Sequence, residues 1–166
     1  MNSKIKLHNV WVVECHRGGA LRWSAHIPHN LVPTEGLNYG VTQLYKGAAY
    51  TAAWYIGLVD SSPTVAAADT MAAHGGWTEV TSYTEAFRQT LTLGDVASGQ
   101  ANNNAAPGTF SMNAAAVIGG AFLCTDSAVG SANGTLGAVG AFVGGNESVG
   151  SGDAVTVRVT TVAAAG

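Results

Sequence analysis

The stretch Ala154 to Val162 reads Ala-Val-Thr-Val-Arg-Val-Thr-Thr-Val, and its alternation constrains the fold more than any other part of the chain. Val155, Val157 and Val159 share one side of an extended backbone, and Thr156, Arg158 and Thr160 share the other. One face is built for a core, the other for solvent or a partner. The same pattern recurs upstream. His8 to Cys15 and Ala20 to Ile27 are extended segments joined by His16-Arg17-Gly18-Gly19, a spacing and composition expected of a hairpin. Val10, Val12 and Glu14 fall on one side of the first segment and Trp11, Val13 and Cys15 on the other, with Trp23 expected to stack near Trp11. Ala52 to Val59, Phe87 to Leu93, Gly108 to Asn113, Val117 to Thr125 and Leu136 to Val143 complete the set.

About eight short strands separated by turn signals predict an all-β chain, a two-sheet sandwich of jelly-roll type. One short helix is expected near residues 34–45, where Leu37, Val41, Leu44 and Tyr45 recur at helical spacing and Gly36 and Gly40 weaken it. Its apolar stripe must pack on something. Residues 1–7 are read as an amino-terminal arm, 8–46 as hairpin and helix, and 47–166 as the main sandwich, all within one domain. Gly94 to Gly108 and Asp126 to Gly134 are expected as exposed loops. Gly119, Gly120, Gly137, Gly140, Gly144 and Gly145 lie in or beside strands, where glycine marks bulges or close backbone approach.

In the middle of the chain Trp54 to Val59 forms a bulky strand, ended by the turn chemistry of Asp60-Ser61-Ser62-Pro63. Asp69 is then expected to cap a brief helix through Met71 and Ala73, with Gly75-Gly76 releasing the chain in a left-handed conformation before Trp77. Several blocks, EGLNYG from Glu35, WYIGLVD from Trp54, ADTMAAHGGWTEVTSY from Ala68, IGGAFLCTD from Ile118 and GAFVGG from Gly140, resemble the cement or decoration proteins of tailed bacteriophages. They are spread over most of the chain after about Pro33. The resemblance implies a non-enzymatic protein on the outer surface of a capsid, made in the host cytoplasm and bound to the major capsid protein. It also implies a homo-oligomer, dimer or trimer.

Charge bears on partners. Only 10% of the residues are charged, against roughly 25% in ordinary soluble domains. Such a surface suits a protein whose faces are covered in an assembly. Up to Tyr50 five cations oppose two carboxylates, and beyond it two oppose eight, so a modestly basic front precedes an acidic body with a net charge of −3 overall. Opposite potentials steer association. There is no Lys/Arg run or basic helix with interleaved aromatics, so nucleic acid is not an expected partner, and no apolar run is long enough for a membrane helix. The start lacks the apolar core and cleavage site of a secretion signal.

Chemistry-bearing constellations are sparse. Cys15 and Cys124 have no metal-spaced partner and are read as buried, inert thiols, so no disulfide framework is expected. His26-Ile27-Pro28-His29 is the best candidate for metal-ligand spacing but has no third ligand, and no metal or cofactor is expected. No serine sits in a G-x-S-x-G elbow, His74 stands in a turn, and Glu79 and Glu85 are expected to face solvent. Trp54 and Trp77 are read as core. Trp11 and Trp23, beside Arg17 and Arg22, combine the two residue types enriched at binding hot spots. Lys4, Lys6, Trp11, Arg17, Arg22, Trp23, His26 and His29 are therefore the candidate capsid or oligomer contacts, and histidine protonation near pH 6 would loosen such a contact. The competing expectation is a tail-fibre or receptor-binding module that recognises host glycans, with exposed aromatic rings in a loop-lined groove.

Overall fold

The computed structural model describes residues 5–45, 53–61 and 63–165. Lys4 and the start of the expected strand at Ala52 lie outside that range. Two glycines make the first corner. Gly18 and Gly19 have φ of 56° and 81°, the pair of left-handed residues that a two-residue hairpin turn requires. Strand β1 (Ile5–Arg17) and strand β2 (Ala20–Ile27) therefore meet directly across that turn, and His16 and Arg17 belong to the strand rather than the turn. The residues expected as an arm are in strand from Ile5 onward.

Helix α1 (Thr34–Tyr45) follows, then β3 (Tyr55–Val59), β4 (Glu79–Val80), β5 (Gln89–Thr90), β6 (Gln100–Asn102) and β7 (Gly108–Ser111). The remaining strands are β8 (Ala116–Ile118), β9 (Gly120–Cys124), β10 (Leu136–Ala141), β11 (Glu147–Val149) and β12 (Asp153–Ala165). All the pairings are antiparallel. One sheet runs β2-β1-β12-β6 with β7 also on β12, the other runs β10-β9-β3-β4 with β5 on β3, and β11-β8 forms a small ribbon. Among the described residues the fold is an all-β sandwich with one short helix.

The alternation of β12 has the predicted outcome. Val155, Val157 and Val159 are fully buried, and so are Trp11, Val13 and Cys15 facing them from β1. They pack against Ile56, Leu58, Ala121 and Leu123 of the second sheet. Each such aliphatic side chain contributes about 1.5–3 kcal/mol on leaving water. The second sheet is covered on its other face too. Val59, Phe122, Cys124, Leu136 and Val139 form a separate buried cluster with Met71 and Trp77, both from the long connection between β3 and β4. Double coverage explains why β9 is buried at every position instead of alternating.

That connection is where expectation and structure differ most. No helix forms after Asp69. Thr70 and Ala73 exchange backbone hydrogen bonds of 2.9 and 3.2 Å in a tight turn instead. The Asp69 carboxylate closes a turn by accepting from the Ala66 N–H, and it also accepts from the Trp77 indole at 3.0 Å, so it anchors the cluster rather than capping a helix. Gly75 and Gly76 are not left-handed. Gly76 is required because a Cβ there would overlap the Thr64 carbonyl oxygen.

Smaller differences have similar causes. The expected strand Val117 to Thr125 divides at Gly119, where the chain leaves the ribbon for the second sheet and a Cβ would press on the Asp60 carbonyl at 2.5 Å. Phe87 to Leu93 keeps only β5 as strand, and Gly94 to Gly108 contains β6, hydrogen-bonded to β12, within what reads as polar loop. Helix α1 has the predicted span with a different face turned inward, half-buried rather than buried. Leu37, Val41 and Tyr45 are exposed, at 48, 55 and 77%. Its inward side carries Gly36, whose absent side chain lets the helix lie on β10, 2.7 Å from the Gly137 carbonyl oxygen at the Cβ position. Glu35 completes the contact by accepting from the Leu136 N–H at 2.7 Å and the Met71 N–H at 3.3 Å.

Candidate interaction surface

At the turn end of the hairpin, Arg17 and Arg22 converge on one carboxylate. Asp153, the first residue of β12, pairs in register with Arg17 and has a fully buried side chain. Arg17 donates through Nε at 2.6 Å and Nη2 at 3.0 Å, Arg22 through Nη1 at 2.5 Å, and the Gly150 N–H adds a fourth bond at 2.8 Å. A ladder irregularity between Cys15 and His16 leaves Arg22 as an extra residue, which turns its side chain to this corner. Burial by itself would raise the Asp153 carboxyl, but the Arg17 hydrogen bonds, the Gly150 N–H and the two guanidinium charges outweigh it, and the net shift is downward. Cys15 lies beside it. Its thiol is pushed up first by burial and then by the Asp153 charge.

The other predicted contacts differ in exposure. Trp11 is fully buried in the core, which rules out a surface-anchor role, and its register partner on β2 is Ile27 rather than Trp23. Trp23 lies opposite Cys15, half-buried, with its indole donating to the Ser148 carbonyl at 3.1 Å and its ring 6.2 Å from Phe142. Lys6, His26 and His29 are exposed: Lys6 near the start of β1, His26 near the end of β2 and His29 just beyond Pro28. Among the described residues no three or more His, Cys, Asp or Glu side chains are grouped to hold a metal ion.

Two features that the sequence reading did not single out are better formed. Arg88 is almost wholly buried and uses its whole guanidinium. Nε and Nη2 clamp Glu79 at 2.8 and 2.7 Å, Nη1 reaches the Asp126 carbonyl at 2.9 Å and the Cys124 sulfur at 3.3 Å, and Nη2 also bonds the Ser131 carbonyl. The Arg88 guanidinium also lies 5.3 Å from the Phe122 ring centre. Glu79 accepts the Gly130 N–H as well, so the knot ties β4 to the loop after β9, and Glu79 does not face solvent as expected. Desolvation would lower the Arg88 pKa, but the Glu79 hydrogen bonds and charge hold it raised. The Cys124 thiol is pushed up by burial, as is the nearby Tyr83 phenol, to which Glu79 adds its negative charge.

The second feature is a cleft of about 420 Å³ at the opposite end of the sandwich from the Asp153 corner. Leu7 and Asn9 of β1, Tyr39 of α1, Trp54, Leu91 and Leu123 contribute to its walls. The Tyr39 and Trp54 rings meet edge to face at 5.4 Å, and a Cβ on Gly137 would overlap the Trp54 ring. None of the described residues lining the cleft is Asp, Glu, Lys or Arg. The sequence shows these positions only as ordinary apolar residues, since β1, α1 and β9 come together here from distant parts of the chain.

Fold and surface together define a class: an antiparallel β-sandwich with a helix and an ordered connection layered on one sheet, and an uncharged cleft at one end. Set against models of known protein families and against curated proteins, the chain matches none.

Proposed function

We propose that this protein is a capsid decoration protein of a tailed bacteriophage, a non-enzymatic clamp between neighbouring major capsid subunits on the outside of the shell. One observation carries the reading. All four arginines of the chain are neutralised internally, Arg17 and Arg22 by Asp153, Arg88 by Glu79 and Arg158 by Glu14, so a chain already poor in charge has still less at its surface. Meanwhile Leu37, Val41, Tyr45, Val96 and Val143 remain exposed. Large apolar side chains on a weakly charged surface are the mark of faces covered by partners. The sequence blocks that resemble phage cement proteins supply the partner class.

In this reading each copy joins a homo-oligomer and bridges shell subunits through the start of β1 and the hairpin, and repeated contacts in a closed lattice multiply a modest single affinity. Lys6, Trp23, His26 and His29 are the predicted contacts that stay available, with the half-exposed Arg17 and Arg22 held in place by Asp153. The test is copy number in purified particles. Hundreds of copies on the head agree with a decoration protein. A few copies at the tail overturn it in favour of a receptor-binding module, and turnover of a substrate by the isolated protein overturns it in favour of an enzyme.

A further inference from the structure

The open edge of β1 and the cleft beside it belong together. β2 pairs with β1 only from Trp11 to Arg17, so Ile5 to Val10 has β12 on one side and no strand on the other among the described residues. Backbone direction can be read from the neighbours. Leu7 pairs with Ala163, whose N–H donates away from β1 to the Gly99 carbonyl at 2.9 Å. Both backbones of that pair therefore turn outward, and the Leu7 N–H and C=O face the open side. Two residues on, the Asn9 N–H points the same way and is taken by the Asn30 side chain at 2.6 Å, which ends the open stretch. What remains is a short unpaired edge directly above an apolar cleft, with α1 as the far wall.

We infer that this groove binds an extended, apolar and acidic peptide segment of a partner protein, which adds a strand to β1 at Leu7 and drops alternate side chains into the cleft between β1 and α1. A strand added to an edge lies about 4.8 Å away and sends every second side chain to the same face. Here that face is the cleft floor of Trp54, Leu91 and Leu123. Main-chain bonds supply affinity and the cleft supplies selection. Charge decides the sign of the partner. None of the described residues lining the cleft is a carboxylate, and the exposed Lys6 stands beside Leu7 on the other face of β1, so the side chains of the added strand that point away from the cleft meet its positive charge. The inference rests on the decoration reading only for which protein supplies the segment, a capsid subunit.

The binding test uses the intact protein and fluorescein-labelled octapeptides at neutral pH, one alternating valine with glutamate and one alternating valine with lysine. Saturable rise in anisotropy is expected with the glutamate peptide, at least tenfold weaker with the lysine peptide. Two variants block the groove from opposite walls without attacking the core. Leu7→Pro removes the outward N–H while leaving the β1–β12 ladder intact. Gly40→Leu fills the cleft from α1, where a Cβ meets no atom within 4 Å. Each is expected to weaken the glutamate peptide at least tenfold with an unchanged circular dichroism spectrum. Absence of saturable binding to the unaltered protein, or equal binding by both folded variants, overturns the inference. A wild-type dimer that Gly40→Leu converts to monomer also overturns it, since the groove then holds a second copy. Peptide binding without attachment to purified shells would leave the groove standing and sink the decoration reading, whereas shell attachment unaffected by both variants would do the reverse.

Discussion

Asp153 shows how one side chain can organise a corner of the sandwich. It is the buried counter-ion for Arg17 and Arg22 and takes the Gly150 N–H besides. Asp153→Asn keeps the shape and removes the charge, and a loss of about 1–3 kcal/mol is expected in urea unfolding, the two half-exposed guanidiniums being able to rehydrate. The pH dependence has a definite sign. Because the folded carboxyl lies below its ordinary value, its contribution is complete above the unfolded carboxylate range and is lost as pH falls through the folded pKa. Acid unfolding of the Asn variant should therefore be shallower, and an unchanged acid profile would contradict the assignment. Arg88 is less forgiving. Arg88→Met strands the largely buried Glu79 carboxylate and should cost about 3–5 kcal/mol, whereas adding Glu79→Leu should restore much of that loss, since removing both charges leaves neither unpaired. Neither partnership was visible beforehand. Arg17 and Asp153 are 136 residues apart, and Arg88 with Glu79 resembles any two surface charges until β4 and the loop after β9 are brought together.

Helix α1 separates two glycines of one element by their surroundings. Gly36→Ala pushes a methyl group onto the Leu136 and Gly137 carbonyl oxygens, 2.9 and 2.7 Å from the Cβ position, and should destabilise by about 1–3 kcal/mol. Gly40→Ala meets nothing within 4 Å and should stabilise by about 0.5–1 kcal/mol through helix propensity and a stiffer unfolded chain. Thermal unfolding of the two single variants checks the opposite signs. The same helix shows how far the sequence can be read. Its span followed from spacing, as did the two faces of β1 and the alternation of β12, because those are local periodicities that the backbone obeys. Its orientation did not, since close packing through Gly36, with Glu35 bonded to Leu136 and Tyr39 against Trp54, turns that face inward, while Leu37, Val41 and Tyr45 of the stripe that periodicity assigns to a core are left outside. The turn after Asp69 was missed for a related reason: the carboxylate that can cap a helix is claimed by the Trp77 indole, a tertiary partner. The cleft was missed because its walls come from elements whose meeting no local pattern announces.

Across the whole molecule, the dominant ladder joins β1 to β12, pairing Ile5 with Ala165 at one end and Arg17 with Asp153 at the other. Contacts so distant in sequence close only after most of the chain has been ordered, so refolding should fall in the millisecond-to-second range of high-contact-order β proteins. Stopped-flow tryptophan fluorescence measures it, and recovery of the full amplitude within microseconds would contradict the pairing. In the cell the same ladder acts as a timer. The hairpin leaves the ribosome with Trp11, Val13 and Cys15 bare; the second sheet that covers them is made later, and β12, the strand that pairs beside them, begins 136 residues after Arg17. At ordinary elongation speeds that interval is roughly seven to thirty seconds. Until both are out the nascent chain carries an incompletely covered aromatic and aliphatic face, so each copy needs shelter from its neighbours on the polysome, and heavy translation of this message should lean on the cell's chaperones before a single sandwich has closed.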